Sequence, residues 1–153
     1  MAGMCPARIE VNGLSCTLVV PKTPAAGLPW VLYANPLEED AEIAVMLLGR
    51  GFHLAYVDVA GLYGNSQAVA RWDAFYAWAR DTLQLAEKPV LAGTAQGSML
   101  VYNWAAANPE KAGCIYMEFP WLQVDPALAA DDAARELMAA ALSANGSEGK
   151  PIT

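Results

Sequence analysis

Gly93-Thr94-Ala95-Gln96-Gly97 is the stretch that decides the fold of this chain. It joins a strand-like run, Lys88 to Gly93, to a helix-like run, Ser98 to Asn108. A strand that turns into a helix within five residues brings its backbones into close contact, and only glycine fits at the points of contact. The central residue of such a turn sits on a strained bend with its side chain over the end of the sheet. Here that residue is Ala95, and a methyl group cannot attack anything.

Outward from this turn, apolar strand-like runs alternate with helical ones. Arg8 to Val11 and Leu14 to Val20 alternate polar and apolar residues around Asn12-Gly13, a strong hairpin turn pair. Residues 21–29 carry three prolines and Gly27 and read as a loop. Trp30–Tyr33, Phe52–Val57 and Cys114–Met117 are short apolar runs of the kind buried in parallel sheets. Residues 37–49 read as a helix with Ile43, Met46 and Leu47 on its apolar face. Its start, Glu38-Glu39-Asp40, is a solvated acidic first turn. Ser66 is placed to cap a helix running to about Ala86, with Val69, Trp72, Tyr76, Ala79 and Leu83 on one face. The aromatic stripe Trp72, Phe75, Tyr76, Trp78 on it reads as helix–sheet packing. Residues 127–142 are alanine-rich and helical, and the tail beyond is flexible in composition. The pattern predicts an α/β fold. A mostly parallel sheet of about six strands, helices on both faces, is entered through an antiparallel hairpin. The whole chain, 1–153, reads as one domain ending in the 127–153 helix and tail.

Composition narrows the function. A chain of 153 residues, 56% hydrophobic, is long enough for a sizeable core. No apolar run reaches the roughly 18 residues a membrane span needs. A net charge of −7 argues against nucleic acid or an anionic membrane as partner. The N-terminus shows no secretory pattern, and three unpatterned cysteines, Cys5, Cys16 and Cys114, fit a reducing compartment, so the chain reads as cytoplasmic. Cys16 and Cys114 lie in strand patterns and read as small buried hydrophobes, while Cys5 reads as exposed and free. No metal-ligand spacing and no cofactor motif is present.

The order of elements and the strand–turn–helix at Ala95 resemble the α/β-hydrolase fold, whose G-x-S-x-G elbow carries the nucleophile. Two more pieces are similar. Asp58 to Ser66 is like that family's D-x-x-G-x-G-x-S loop with one extra residue, and Tyr102 to Lys111 is like the helix after the elbow in a bacterial branch. The resemblance covers residues 8–124 and implies an esterase-like hydrolase. Against it stand Ala95 at the elbow centre and Ala34-Asn35-Pro36 where many relatives carry His-Gly for the oxyanion hole. The strands that usually supply the catalytic acid and histidine would follow near where this sequence ends.

Sites in such sheets lie beyond the C-terminal strand ends. That rule selects Asn35, Tyr63 in the loop after Asp58, Ala95, Gln96, Glu118 and Trp121 as pocket residues, with no catalytic residue among them. His53, the only histidine, starts its strand at the other end, roughly 16 Å from Asp58. It reads as a surface or edge histidine and cannot be base to anything at the elbow. Ser98 lies in the first helical turn, where its hydroxyl bonds the backbone. Asp58 is expected to tie its own loop, and Glu118 to bond loop amides. The amides of Ala95 and Gln96 at a helix N-terminus favour a small carbonyl or anionic ligand.

Three readings follow. The first is an α/β-hydrolase-like domain without independent hydrolytic activity. The second is an ester hydrolase completed by another chain or a longer gene product. The third is a ligand-binding or assembly module that forms a homodimer through an open sheet edge.

Overall fold

The computed structural model describes residues 6–121 and 124–146, and the side chains of these apart from Glu39 and Asp40. The readings of Cys5 and of the tail past Gly146 lie outside them. The strands are β1 (Ala7–Val11), β2 (Leu14–Val19), β3 (Trp30–Tyr33), β4 (His53–Val57), β5 (Val90–Thr94) and β6 (Cys114–Glu118). The helices are α1 (Ala41–Gly49), α2 (Ser66–Leu83), α3 (Gly97–Ala107) and α4 (Asp132–Ala144).

The strands form one sheet in the order β1-β2-β4-β3-β5-β6. β1 and β2 make an antiparallel hairpin, and β2 joins β4 antiparallel. From β4 onward every pairing is parallel. The hairpin closes at Asn12 (φ 51°) and Gly13 (φ 79°), the two positive angles a two-residue turn requires.

Side chains alternate across the sheet and build two layers. On one face Trp30, Leu32, Ala55, Val57 and Leu91 meet α2 and α3 through Trp72, Phe75, Ala79, Leu100, Val101 and Trp104. The aromatic stripe of α2 is core, as expected. On the other face Val31, Tyr33, Leu54 and Ala92 meet α1.

Several local readings are corrected. α1 starts at Ala41 after a 3-10 turn over Leu37–Asp40. Its fully buried residue is Ala44, and Met46 is half exposed because a nine-residue helix on a sheet of this width buries one narrow stripe. α2 is capped by Asn65, not Ser66: the Asn65 Oδ1 accepts from the Ala68 N–H at 3.1 Å. Asn65 is also extended, as an N-cap residue must be, while Ser66 is already helical. The helix stops at Leu83, because Gln84 takes the left-handed conformation (φ 54°). α4 begins at Asp132, capped by Asp131, after a 3-10 turn over Pro126–Leu128.

The largest departure is β6. It was expected to be buried, yet four of its five residues are exposed. Among the described residues it is the last strand of the sheet, and the helix that packs on it is α3. Cys114 is therefore exposed. Cys16 is buried as expected, and burial pushes its thiol up to about 11.

Candidate functional site

The bend at Ala95 has the strained geometry that its sequence implies. Ala95 has φ 46°, in the left-handed region. A Cβ on Gly97 would lie 2.1 Å from the Asn35 Oδ1, and one on Gly93 would lie 2.9 Å from Val101 Cγ2. Fold geometry therefore accounts for both glycines without any catalytic role. Tyr63 (φ 47°) and Phe119 (φ 45°) share the strain, so three of the six non-glycine positive φ angles of the described residues lie at this end of the sheet.

Two recesses open here, one on each side of Asn35 and Pro36. The larger, about 220 Å³, is lined by Asn35, Pro36, Tyr56, Tyr63, Gln96 and Gly97 among others. The smaller, about 60 Å³, lies between Tyr33, Asn35, Thr94, Tyr116 and Glu118. Asn35, Tyr63 and Gln96 are thus brought together, and Glu118 belongs to the second recess. Ala95 lines neither. Trp121 lines neither too; its backbone N–H donates to the Ser98 Oγ at 2.9 Å, and its side chain packs against the cluster of Met99, Val124, Ala141 and Leu142.

The amides of the turn are mostly occupied. The Thr94 N–H donates to the Asn35 Oδ1 at 2.9 Å. The Ala95 N–H donates to the Glu118 carbonyl at 3.1 Å, extending the β5–β6 ladder. The expected role of the Ala95 amide in holding a ligand is therefore corrected. Gln96 is the N-cap and Gly97 the first residue of α3, so their N–H groups have no intrahelical acceptor, and both residues line the larger recess. Facing them is Pro36, which has no N–H to add.

The remaining polar side chains are structural. The Ser98 hydroxyl is fully buried and donates to the Ala95 carbonyl at 2.6 Å, so donor and acceptor are both in use. Asp58 Oδ1 accepts from the Ala60 N–H at 3.1 Å, tying its loop as expected. That loop is pressed onto α3, where a Cβ on Gly64 would lie 2.5 Å from the Leu100 nitrogen. The Asn145 Nδ2 donates to the Tyr63 carbonyl at 2.9 Å and the Asn65 Nδ2 to the Ala144 carbonyl at 3.2 Å, pinning the end of α4 beside the recess. Among the described residues no loop amide donates to the Glu118 carboxylate. That group is exposed and accepts from the Tyr116 hydroxyl at 2.5 Å.

His53 is buried rather than at the surface or an edge, at 7% exposure in an interior strand. Its Nδ1 has no hydrogen-bond partner among the described residues. Burial holds its pKa below the usual 6.5, partly offset by a hydrogen bond with Pro29. It remains at the opposite end of β4 from the recesses. Among the described residues no lysine, arginine or histidine lines either recess, and Glu118 is the one carboxylate that does. Among the described residues no group of three or more His, Cys, Asp or Glu could hold a metal ion. No described helix is long and apolar enough to cross a membrane.

Sequence reasoning missed Tyr33, Thr94 and Tyr116 in the smaller recess. The signal was available in the strand period: Tyr116 precedes Glu118 by two, and Thr94 pairs with Glu118 across the ladder.

No family profile matches this sequence, and no curated protein is similar to it. Solved structures are. A variant of an epoxide hydrolase from Vigna radiata superposes with a TM-score of 0.60 at 18% identity, over 90% of this chain and 45% of its own. An acetyl xylan esterase from Aspergillus awamori gives 0.57 at 13% identity, over 74% and 50%. Epoxide hydrolase A from Mycobacterium thermoresistibile gives 0.54 at 20% identity, over 74% and 38%. The chain therefore has the α/β-hydrolase fold, and it spans half or less of the length of these structures.

Proposed function

We propose that this chain is an α/β-hydrolase-like binding domain, without hydrolytic activity of its own, that takes a small carbonyl compound in the larger recess. The observation that carries the reading is Ala95 on the strained bend, with the only histidine at the far end of β4. Acyl transfer needs a nucleophile and a base within hydrogen-bond reach of each other. What the bend does offer is the pair of amides at Gln96 and Gly97, with the helix dipole behind them. Among the described residues the recess lining has no cationic side chain, which favours a neutral carbonyl oxygen over a free anion. The domain needs no cofactor for this role. Its odd, unpatterned cysteines suit the cytoplasm.

Hydrolysis of short p-nitrophenyl esters tests the first half: a rate no higher than that of heat-denatured protein is expected. Titration with a short amide, followed by the Gln96 and Gly97 amide resonances, tests the second. Saturable shifts confined to the recess are expected, and unmoved resonances refute it.

A second reading has support from length. The chain spans 38–50% of the three solved structures, so a longer gene product or second chain could complete an ester hydrolase. That partner must supply a histidine near the bend and a nucleophile as well. The reading frame downstream of Thr153 decides it.

A further inference from the structure

The two edges of the sheet differ. β1 carries Arg8 and Glu10 on its five residues, charges of the kind that protect an edge from pairing. β6 reads Cys114-Ile115-Tyr116-Met117-Glu118, with no lysine and no proline inside it. Ile115 is 40% exposed, Tyr116 38%, and the adjoining Phe119 84%. No strand lies beyond β6 among the described residues.

The direction of its backbone groups follows from one bond. The Glu118 carbonyl accepts from the Ala95 N–H, so it points toward β5. In a strand, alternate residues present both backbone groups to the same side. Cys114 and Tyr116 therefore also face β5, and Ile115 and Met117 turn their N–H and C=O outward. A weak contact touches this outward row, the Cys114 thiol on the Ile115 carbonyl at 3.9 Å.

We infer that β6 pairs antiparallel with the β6 of a second copy of this chain, about a two-fold axis through Tyr116. In that register Ile115 lies opposite the partner's Met117, and Met117 opposite the partner's Ile115. Both outward-facing residues are then hydrogen-bonded, and the interface is self-complementary. Tyr116 faces its own copy in the closer, non-hydrogen-bonded type of pair. Charge selects the same register. Glu118 lies opposite the partner's Cys114, which keeps the two carboxylates about 13 Å apart along the strands, beyond the Debye length of ~8 Å. Pairing Glu118 with its own copy sets like charges directly opposite each other. The partner's Cys114 also walls the open flank of the smaller recess beside Glu118 and Tyr116. The pairing joins two six-stranded sheets into one and closes on itself.

Sedimentation velocity on the full chain across a dilution series tests the pairing. A mass twice that of the monomer is expected at the concentrated end. Ile115→Pro removes an outward N–H without touching the β5 ladder, and it should leave a folded monomer by circular dichroism. Should that variant not fold, the register is read separately. In a Cys5→Ser background, Glu118→Cys places a thiol opposite the partner's Cys114, at the Cα separation of about 4.5 Å found in non-hydrogen-bonded pairs and accepted by disulfides. Mild oxidation should then give a dimer in which the introduced thiol is linked to the partner's Cys114, while Glu10→Cys in the same background stays unlinked. A wild-type monomer at every concentration, masses that grow past two copies, or equal linking of both cysteine variants overturns the inference.

Discussion

Gly97→Ala is the sharpest test of how the bend is held. The added methyl would lie 2.1 Å from the Asn35 Oδ1 and 2.8 Å from its Cγ, so the Asn35 side chain must leave. Asn35 is buried, and its oxygen is the acceptor for the Thr94 N–H. Thr94 is half-buried, so orphaning its amide costs toward the lower end of about 1–3 kcal/mol. Forcing a methyl into a packed interior costs about 1–3 kcal/mol more, and the lost flexibility of glycine returns up to about 1 kcal/mol. The net loss is about 2–4 kcal/mol, which for a domain of this size lowers Tm by roughly 5–15 °C. The companion variant separates the cause from general damage. Asn35→Ala alone loses the Thr94 bond but opens space, so Asn35→Ala with Gly97→Ala should cost little more than Asn35→Ala by itself. Thermal melts of the four proteins give a coupling of about 1–3 kcal/mol. A Gly97→Ala protein melting within about 2 °C of wild type, or a double variant in which the two losses simply add, refutes the contact.

Three further expectations follow from the site and its surroundings. Ala95→Ser should hydrolyse p-nitrophenyl acetate no faster than the parent protein, since no base stands beside position 95; a clear rate increase would reveal one. Burial keeps the pKa of folded His53 below the unfolded 6.5. The unfolded chain therefore binds more protons between the two values, and stability falls as pH drops below about 6.5, levelling off below the folded pKa. Urea midpoints at about pH 7 and about pH 5 should differ less in His53→Leu than in wild type, and an unchanged difference removes His53 as the cause. Gln84→Gly should raise Tm by about 1–3 °C, because glycine meets the left-handed angle at the end of α2 without strain; a lower Tm contradicts that.

The sequence was most informative where a local rule has a single outcome. Asn12-Gly13 has one good use between alternating runs, and the hairpin is there. The spacing of glycines about Ala95 allows little but a strand–turn–helix, and the aromatic residues of α2 had nowhere else to go than the core. It misled where the answer depends on what lies alongside. Cys114–Met117 has the composition of a buried strand, but burial needs a neighbour, and β6 is an edge. His53 was read as peripheral from its position at a strand start, although β4 lies inside the sheet. Ser66 and Asn65 are both capping residues, and only the backbone angle chooses between them. The occupation of the Ala95 amide by Glu118 joins residues 23 positions apart, which no local pattern reveals.

The tryptophans divide into two optical groups. Trp30, Trp72, Trp78 and Trp104 are linked through Phe75 and Tyr76 by ring contacts of 5.5–6.2 Å. Packed so closely, they share excitation and emit as one reporter of the core between α2, α3 and the sheet. None of those ring contacts includes Trp121, which packs against Met99, Val124, Ala141 and Leu142 at the foot of α4. A protein with Trp121→Phe would keep the core emission, and the difference spectrum would isolate one indole packed at the foot of α4, giving this chain a built-in fluorescent probe of how α4 is docked.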